Sequence, residues 1–117
     1  MPRRVQMSRQ HPWRAENPGA VIVDRRSKDW GNPFKVGDEA YIQAGRDGSG
    51  DYFGCSVPIT RQLAVDLFRA WAQCRPAFVE AVREHLTGRD LACWCPLPVL
   101  GMPDICHAAV LLELAAS

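Results

Sequence analysis

The feature that most constrains this chain is a pair of one-sided helical patterns placed back to back over residues 60–88. In the first, Leu63, Ala64, Leu67, Phe68 and Trp71 recur at the spacing of a single helical face. Thr60 stands where an N-cap is needed. Pro76 restarts the pattern at a first-turn position, where its missing N–H costs nothing. Phe78, Val79, Val82 and Leu86 form the second stripe, and Gly88 supplies the stop. Two helices with apolar faces need a covered partner surface. Few segments elsewhere are regular enough to provide it.

The best of these are short. Residues 20–24 are a β-branched run ending in an acid, and residues 90–95 are an apolar run between the helix stop and Pro96. Residues 5–8 and 39–44 are weaker candidate strands. Residues 11–19, 25–34 and 97–103 read as loops, because Pro, Gly and Asn punctuate them. The glycine-rich stretch 45–54 reads as a flexible loop. A last helix is expected to start at an Asp104 cap, with Ile105, Ala108, Leu111, Leu112 and Ala115 facing inward. Strands 20–24 and 90–95 are separated by helices, so they are expected to lie parallel. The fold class is therefore α/β: one small domain over residues 1–117, with a short, mostly parallel sheet covered by helices. An α+β arrangement with antiparallel N-terminal strands is the alternative. Residues 1–19 are expected to form an irregular arm.

Composition narrows the setting. The chain has 117 residues, 47% of them apolar and 23% charged, which is ordinary for a soluble domain. No apolar run reaches about 18 residues, so no membrane contact is expected. The N-terminus lacks the apolar core of a secretory signal, and the five cysteines are an odd number, so reduced thiols and a cytoplasmic location are expected. Net charge is only +1, but residues 1–35 hold eight Lys/Arg against three Asp/Glu. That basic front predicts contact with phosphates, nucleic acid included. A solvated, frayed terminus explains it equally well.

Cys93, Cys95, Cys106 and His107 are the chemistry-bearing cluster. On a strand Cys93 and Cys95 would share a face and Trp94 the other. With Asp104 as cap, Cys106 and His107 fall at the second and third helical positions, where free N–H groups lower a thiol pKa and attract anions. Three readings stay open. The cysteines fill a strand-to-helix junction; or they form a functional cleft in which Cys106 and His107 face a ligand as candidate catalytic groups; or they join His107 in a Cys₃His zinc site. C-x-C spacing suits zinc less well than C-x₂₋₄-C, so neither a metal nor any other cofactor is expected.

Two stretches together resemble the domain of unknown function 4326 family of small phage and bacterial proteins. Arg25, Ser27, Trp30, Gly31, Asn32, Pro33 and Phe34 match one family motif. Cys93, Trp94, Cys95, Cys106 and His107 match the other. The chain departs from the pattern at Asp24, where glycine is usual, at Arg26, where proline is usual, and in a longer stretch between Cys95 and Cys106. The resemblance implies a phage-like source and a site, and names no reaction.

If the two strands are parallel, both motifs lie beyond their carboxyl ends, where open α/β sheets bind ligands. Arg25, Ser27, Trp30 and Asn32 are then candidate ligand-binding residues beside Cys106 and His107: Arg25 for a phosphate or carboxylate, Trp30 for a ring. The expectation is a cleft that binds or processes a nucleotide or nucleobase-like anionic ligand. The alternative is a non-enzymatic interaction module for a host protein or nucleic acid. No P-loop, dinucleotide glycine fingerprint or Ser-His-Asp set is recognisable.

Overall fold

In the computed structural model, which describes residues 2–117 and at Ala44 the backbone alone, three short parallel strands from distant parts of the chain form one sheet. They are β1 (Arg4–Gln6), β2 (Val21–Ile22) and β5 (Leu91–Cys93), in the order β1-β5-β2. Leu91 of β5 sits in register between Arg4 and Val21, and Ala92 between Val5 and Ile22. The central strand is thus the one added last, and all three of its residues are buried. Between β1 and β2 lies a four-residue helix, α1 (Trp13–Glu16). The first nineteen residues, expected as an irregular arm, therefore contain one sheet strand and one helical turn.

The helices follow their sequence signals closely. In α2 (Arg61–Gln73) the Thr60 hydroxyl accepts from the Leu63 N–H at 3.1 Å. Helix α3 (Pro76–Leu86) opens on Pro76, and Gly88 beyond its end takes φ +77°, a left-handed conformation that glycine adopts without strain. Helix α4 (His107–Ala116) starts later than expected: its N-cap is Cys106, not Asp104. Asp104 is instead drawn into an ion pair with Arg4, which removes it from the capping position. The α/β reading holds, with α2, α3 and α4 closing over the sheet around Phe68, Val82, Leu86, Leu91 and Leu111. Each of these large side chains contributes about 1.5–3 kcal/mol by leaving water. Phe68 meets Phe78 edge-on at 6.2 Å between ring centroids and His107 at 5.4 Å.

The stretch expected as a glycine-rich loop departs most. Strand β3 (Glu39–Arg46) pairs antiparallel with β4 (Tyr52–Pro58), leaving only residues 47–51 as the turn. The Asp47 carboxylate organises that turn by accepting from the Ser49 N–H at 2.8 Å, the Ser49 hydroxyl at 2.6 Å and the Asp51 N–H at 3.1 Å. The glycines hid the strands because Gly45 and Gly54 are needed inside them. A Cβ on Gly54 would meet the Ile42 carbonyl oxygen. The hairpin stands away from the core, with Tyr41, Ile42, Tyr52 and Phe53 exposed. It helps raise the radius of gyration to 16.6 Å, against about 13 Å for a compact chain of this length. Among the described residues, no helix is long and apolar enough to cross a membrane.

Candidate functional site

Because β1, β5 and β2 are parallel, their carboxyl ends open on one edge, and a cavity of about 540 Å³ lies there. Three chain segments build its wall. The turn after β2 supplies Asp24, Arg25, Arg26 and Asn32. The segment after β5 supplies Trp94 and Cys95. The entry to α4 supplies Ile105, Cys106 and His107. Arg61, the first residue of α2, and Arg9, beyond β1, complete the mouth.

The turn is shaped by close backbone packing. The Ser27 N–H donates to the Asp24 carbonyl at 2.9 Å, and the Gly31 N–H to the Ser27 carbonyl at 3.2 Å. A Cβ on Gly31 would lie 2.6 Å from the Arg25 oxygen and 2.7 Å from that of Ser27, so only glycine fits without a shift. Buried Asn32 ties this turn to α2. Its Nδ2 donates to the Ala64 carbonyl at 3.1 Å, and its Oδ1 accepts from the Phe34 N–H at 2.9 Å.

Of the residues singled out in the sequence, Arg25, Asn32, Cys106 and His107 do share this cavity. Trp30 and Ser27 do not line it. The Trp30 ring packs toward Phe78 and His85 on another side of the domain, and the Ser27 hydroxyl accepts from the Trp30 N–H at 3.2 Å. The tryptophan at the cavity is Trp94, half exposed, with its Nε1–H donating to Asp24 Oδ2 at 3.1 Å, and Phe34 lines the same cavity. Strand alternation assigned Trp94 to the face opposite the thiols. That rule lapses because β5 ends at Cys93, and the backbone bends at Trp94 and Cys95. Arg9, Arg26, Arg61 and Trp94 were not singled out. The excess of arginine in residues 1–35 was the available signal for the first two, and Trp94 stood inside the Cys-Trp-Cys motif.

The picture of Cys106 as an activated thiol on the first turn is corrected. Cys106 is buried and extended at the N-cap, not inside the helix. Its thiol pKa is pushed up, first by donation to Cys93 and Cys95 and then by burial. Cys95 is the thiol held below its ordinary pKa, by hydrogen bonds from Cys106 and Cys93 and then by the nearby Arg61 and Arg4 guanidiniums. His107 is no free partner for a thiol either. Its Nε2 bonds the Val23 carbonyl, and burial holds its pKa below the usual value, so the ring is neutral and Nε2–H is the donor.

What brings Cys95 and Cys106 together across an eleven-residue separation is Arg4. Its buried guanidinium pairs through Nε with Asp104 and donates to the Cys95 carbonyl at 2.7 Å and the Pro96 carbonyl at 2.6 Å. Both ends of the intervening loop are thereby fastened to β1. Arg61 reinforces the same junction, with Nε donating to the Ile105 carbonyl at 2.9 Å. Part of the basic front is thus engaged internally. Arg3 also bonds Asn17 and approaches Asp90.

A family model described as "Domain of unknown function (DUF4326)" matches residues 5–117. No curated protein and no solved structure matches the chain.

Proposed function

The chain belongs to the DUF4326 family, and from the geometry of its cleft we propose that it holds a small anionic, ring-bearing ligand of the nucleotide or nucleobase type. The observation that carries this reading is the convergence of Arg9, Arg25, Arg26 and Arg61 with the Trp94 ring on one cavity, against the single carboxylate of Asp24. Guanidinium forks match phosphate and carboxylate oxygens bidentately. An indole held by Asp24 offers a face for a planar ring. The cavity's size lies in the range of roughly 300–1,000 Å³ usual for small-molecule sites. Asn32 and His107 shape the wall, because their polar atoms already bond Ala64, Phe34 and Val23. A cytoplasmic setting, in a host cell if the source is a phage, goes with this reading, since nucleotides and reduced thiols coexist there.

A thermal-shift panel of nucleotides, nucleosides and sugar phosphates tests it. A ligand present at about one hundred times its Kd stabilises the fold by about 2.7 kcal/mol. Arg25→Ala and Arg61→Ala should each weaken binding by about 10- to 100-fold, the worth of one charged hydrogen bond. Arg14→Ala, outside the cavity, should leave it unchanged. A panel without a hit, or equal losses in all three variants, would remove the proposal.

The exposed hairpin favours a second reading, a module that docks nucleic acid or a host protein through Tyr41, Tyr52 and Phe53. Aromatic rings on a strand pair can stack unpaired bases. Oligonucleotide binding lost in Tyr41→Ala and Phe53→Ala, yet kept in Arg61→Ala, would favour that reading over the cleft.

A further inference from the structure

Three sulfurs meet at the base of this cavity. The Sγ atoms of Cys93, Cys95 and Cys106 all lie within 4.8 Å of one another, and those of Cys93 and Cys95 are 3.9 Å apart. We propose that these three cysteines bind one thiophilic d¹⁰ metal ion, zinc(II) being the reference case, with the remaining coordination position open to the cavity.

The spacing excludes one use of the sulfurs, a disulfide, and suits both a thiol hydrogen bond and a shared metal ion. A disulfide needs about 2.05 Å between them, and 3.9 Å is far too long for that bond. A metal with thiolate bonds of about 2.3 Å sets its sulfurs about 3.8 Å apart in a tetrahedron and about 4.0 Å apart in a trigonal plane. The observed separation of Cys93 and Cys95 falls between those values. Simple core filling accounts for one or two small buried thiols. It does not account for three thiols from a strand end, the following bend and a helix cap converging on a cavity wall.

The objection from C-x-C spacing also falls away. It assumes an extended strand through both cysteines, but β5 ends at Cys93. Loop length is no obstacle, because Arg4 fastens Cys95 and Asp104 together. His107 is excluded from the set, contrary to the Cys₃His alternative, because among the described residues only the three cysteines bring their ligand atoms together, with neither ring nitrogen of His107 among them. Binding releases the thiol protons to solvent. A divalent ion with three thiolates carries one net negative charge, and the Arg4 and Arg61 guanidiniums at the same junction offset it. Half-buried Cys95 provides the route of entry. None of this depends on the anionic ligand: a ligand panel without hits would leave the metal site standing.

The test uses the full chain, reduced and freed of metal, titrated with zinc(II), cadmium(II) and copper(I) against a competing chelator. The expected result is one ion per chain, sulfur-to-metal charge-transfer absorption with cadmium, and three sulfur neighbours by X-ray absorption on the zinc form. Cys95→Ser removes a direct ligand and should lower affinity by at least about 100-fold, the upper end of what outer-shell changes cost, while Cys55→Ser and Cys74→Ser change nothing. Fold loss in a variant is bypassed by alkylating the unmutated protein with and without zinc. Mass analysis should then show zinc-dependent protection of half-buried Cys95, with exposed Cys55 and Cys74 still labelled; Cys93 and Cys106 are buried with or without the ion. Binding well below one ion per chain, unaltered affinity in folded Cys95→Ser, or no zinc-dependent protection of Cys95 would overturn the proposal.

Discussion

Replacing Arg4 by methionine should be among the most damaging single changes outside the apolar core. Methionine keeps much of the stem but removes the guanidinium, whose side chain is 3% exposed while its partner Asp104 is 18% exposed. Three bonds are lost together, to Asp104, Cys95 and Pro96. The carboxylate also remains in place, with Oδ1 already buried and lacking a protein hydrogen-bond partner. Removing one member of a buried pair costs about 3–5 kcal/mol. Asp104 retains some contact with water, which puts the expected loss at about 3 kcal/mol. At about 2.1 cal/mol/K per residue, unfolding this chain has an entropy of about 0.25 kcal/mol/K, so the Tm should fall by about 12 °C. Arg4→Lys keeps a point charge for Asp104 but cannot fork to both carbonyls. It should lose about 1–2 kcal/mol, or about 4–8 °C. Calorimetry reads both. Alkylation of Cys106 should also accelerate in Arg4→Met, because the loop that covers it is unfastened. A double-mutant cycle with Asp104→Asn should show coupling of about 1–3 kcal/mol. A Tm loss below about 4 °C with additive effects of the two mutations would mean that Arg4 behaves as an ordinary surface charge.

Further predictions concern the frame around the cavity. Gly31→Ala should cost about 2 kcal/mol, read as a Tm loss of about 8 °C, because the new methyl meets two backbone oxygens that can only move with the turn. Phe68→Ala should cost about 3–5 kcal/mol in a denaturant titration, since this fully buried ring supports Phe78 and His107 edge-on and stacks on Trp71. Replacing residues 40–57 by a short Gly-Ser turn should change stability by less than about 1 kcal/mol. The base of the hairpin is held independently by the Ile59 N–H on the Asp38 carbonyl at 2.7 Å and the Gly37 N–H on the Ile59 carbonyl at 3.0 Å. A Tm loss above about 10 °C in that deletion would show that the hairpin supports the core after all.

What could be read from the sequence alone was whatever depends on neighbours along the chain. Helical periodicity, the Thr60 cap, Pro76 and the Gly88 stop located α2 and α3, because each acts over one or two turns. The helices between residues 24 and 90 pointed to a parallel pairing of β2 with β5, and with it a sheet edge where Arg25, Asn32, Cys106 and His107 share a cavity. The tertiary structure decided the rest, because the deciding bonds span most of the chain. Arg4 reaches Cys95, Pro96 and Asp104 across 91, 92 and 100 positions, which closes the thiol loop and moves the start of α4 to Cys106. Tryptophan is more often a core anchor than a ring at a cavity mouth, and no local pattern tells which use a given one has. Packing against Phe78 took Trp30 away from the cleft, while the bend after Cys93 and the Asp24 carboxylate brought Trp94 to it. Side-chain chemistry is present in the sequence, but which groups face one another depends on long-range hydrogen bonds and on where a strand stops.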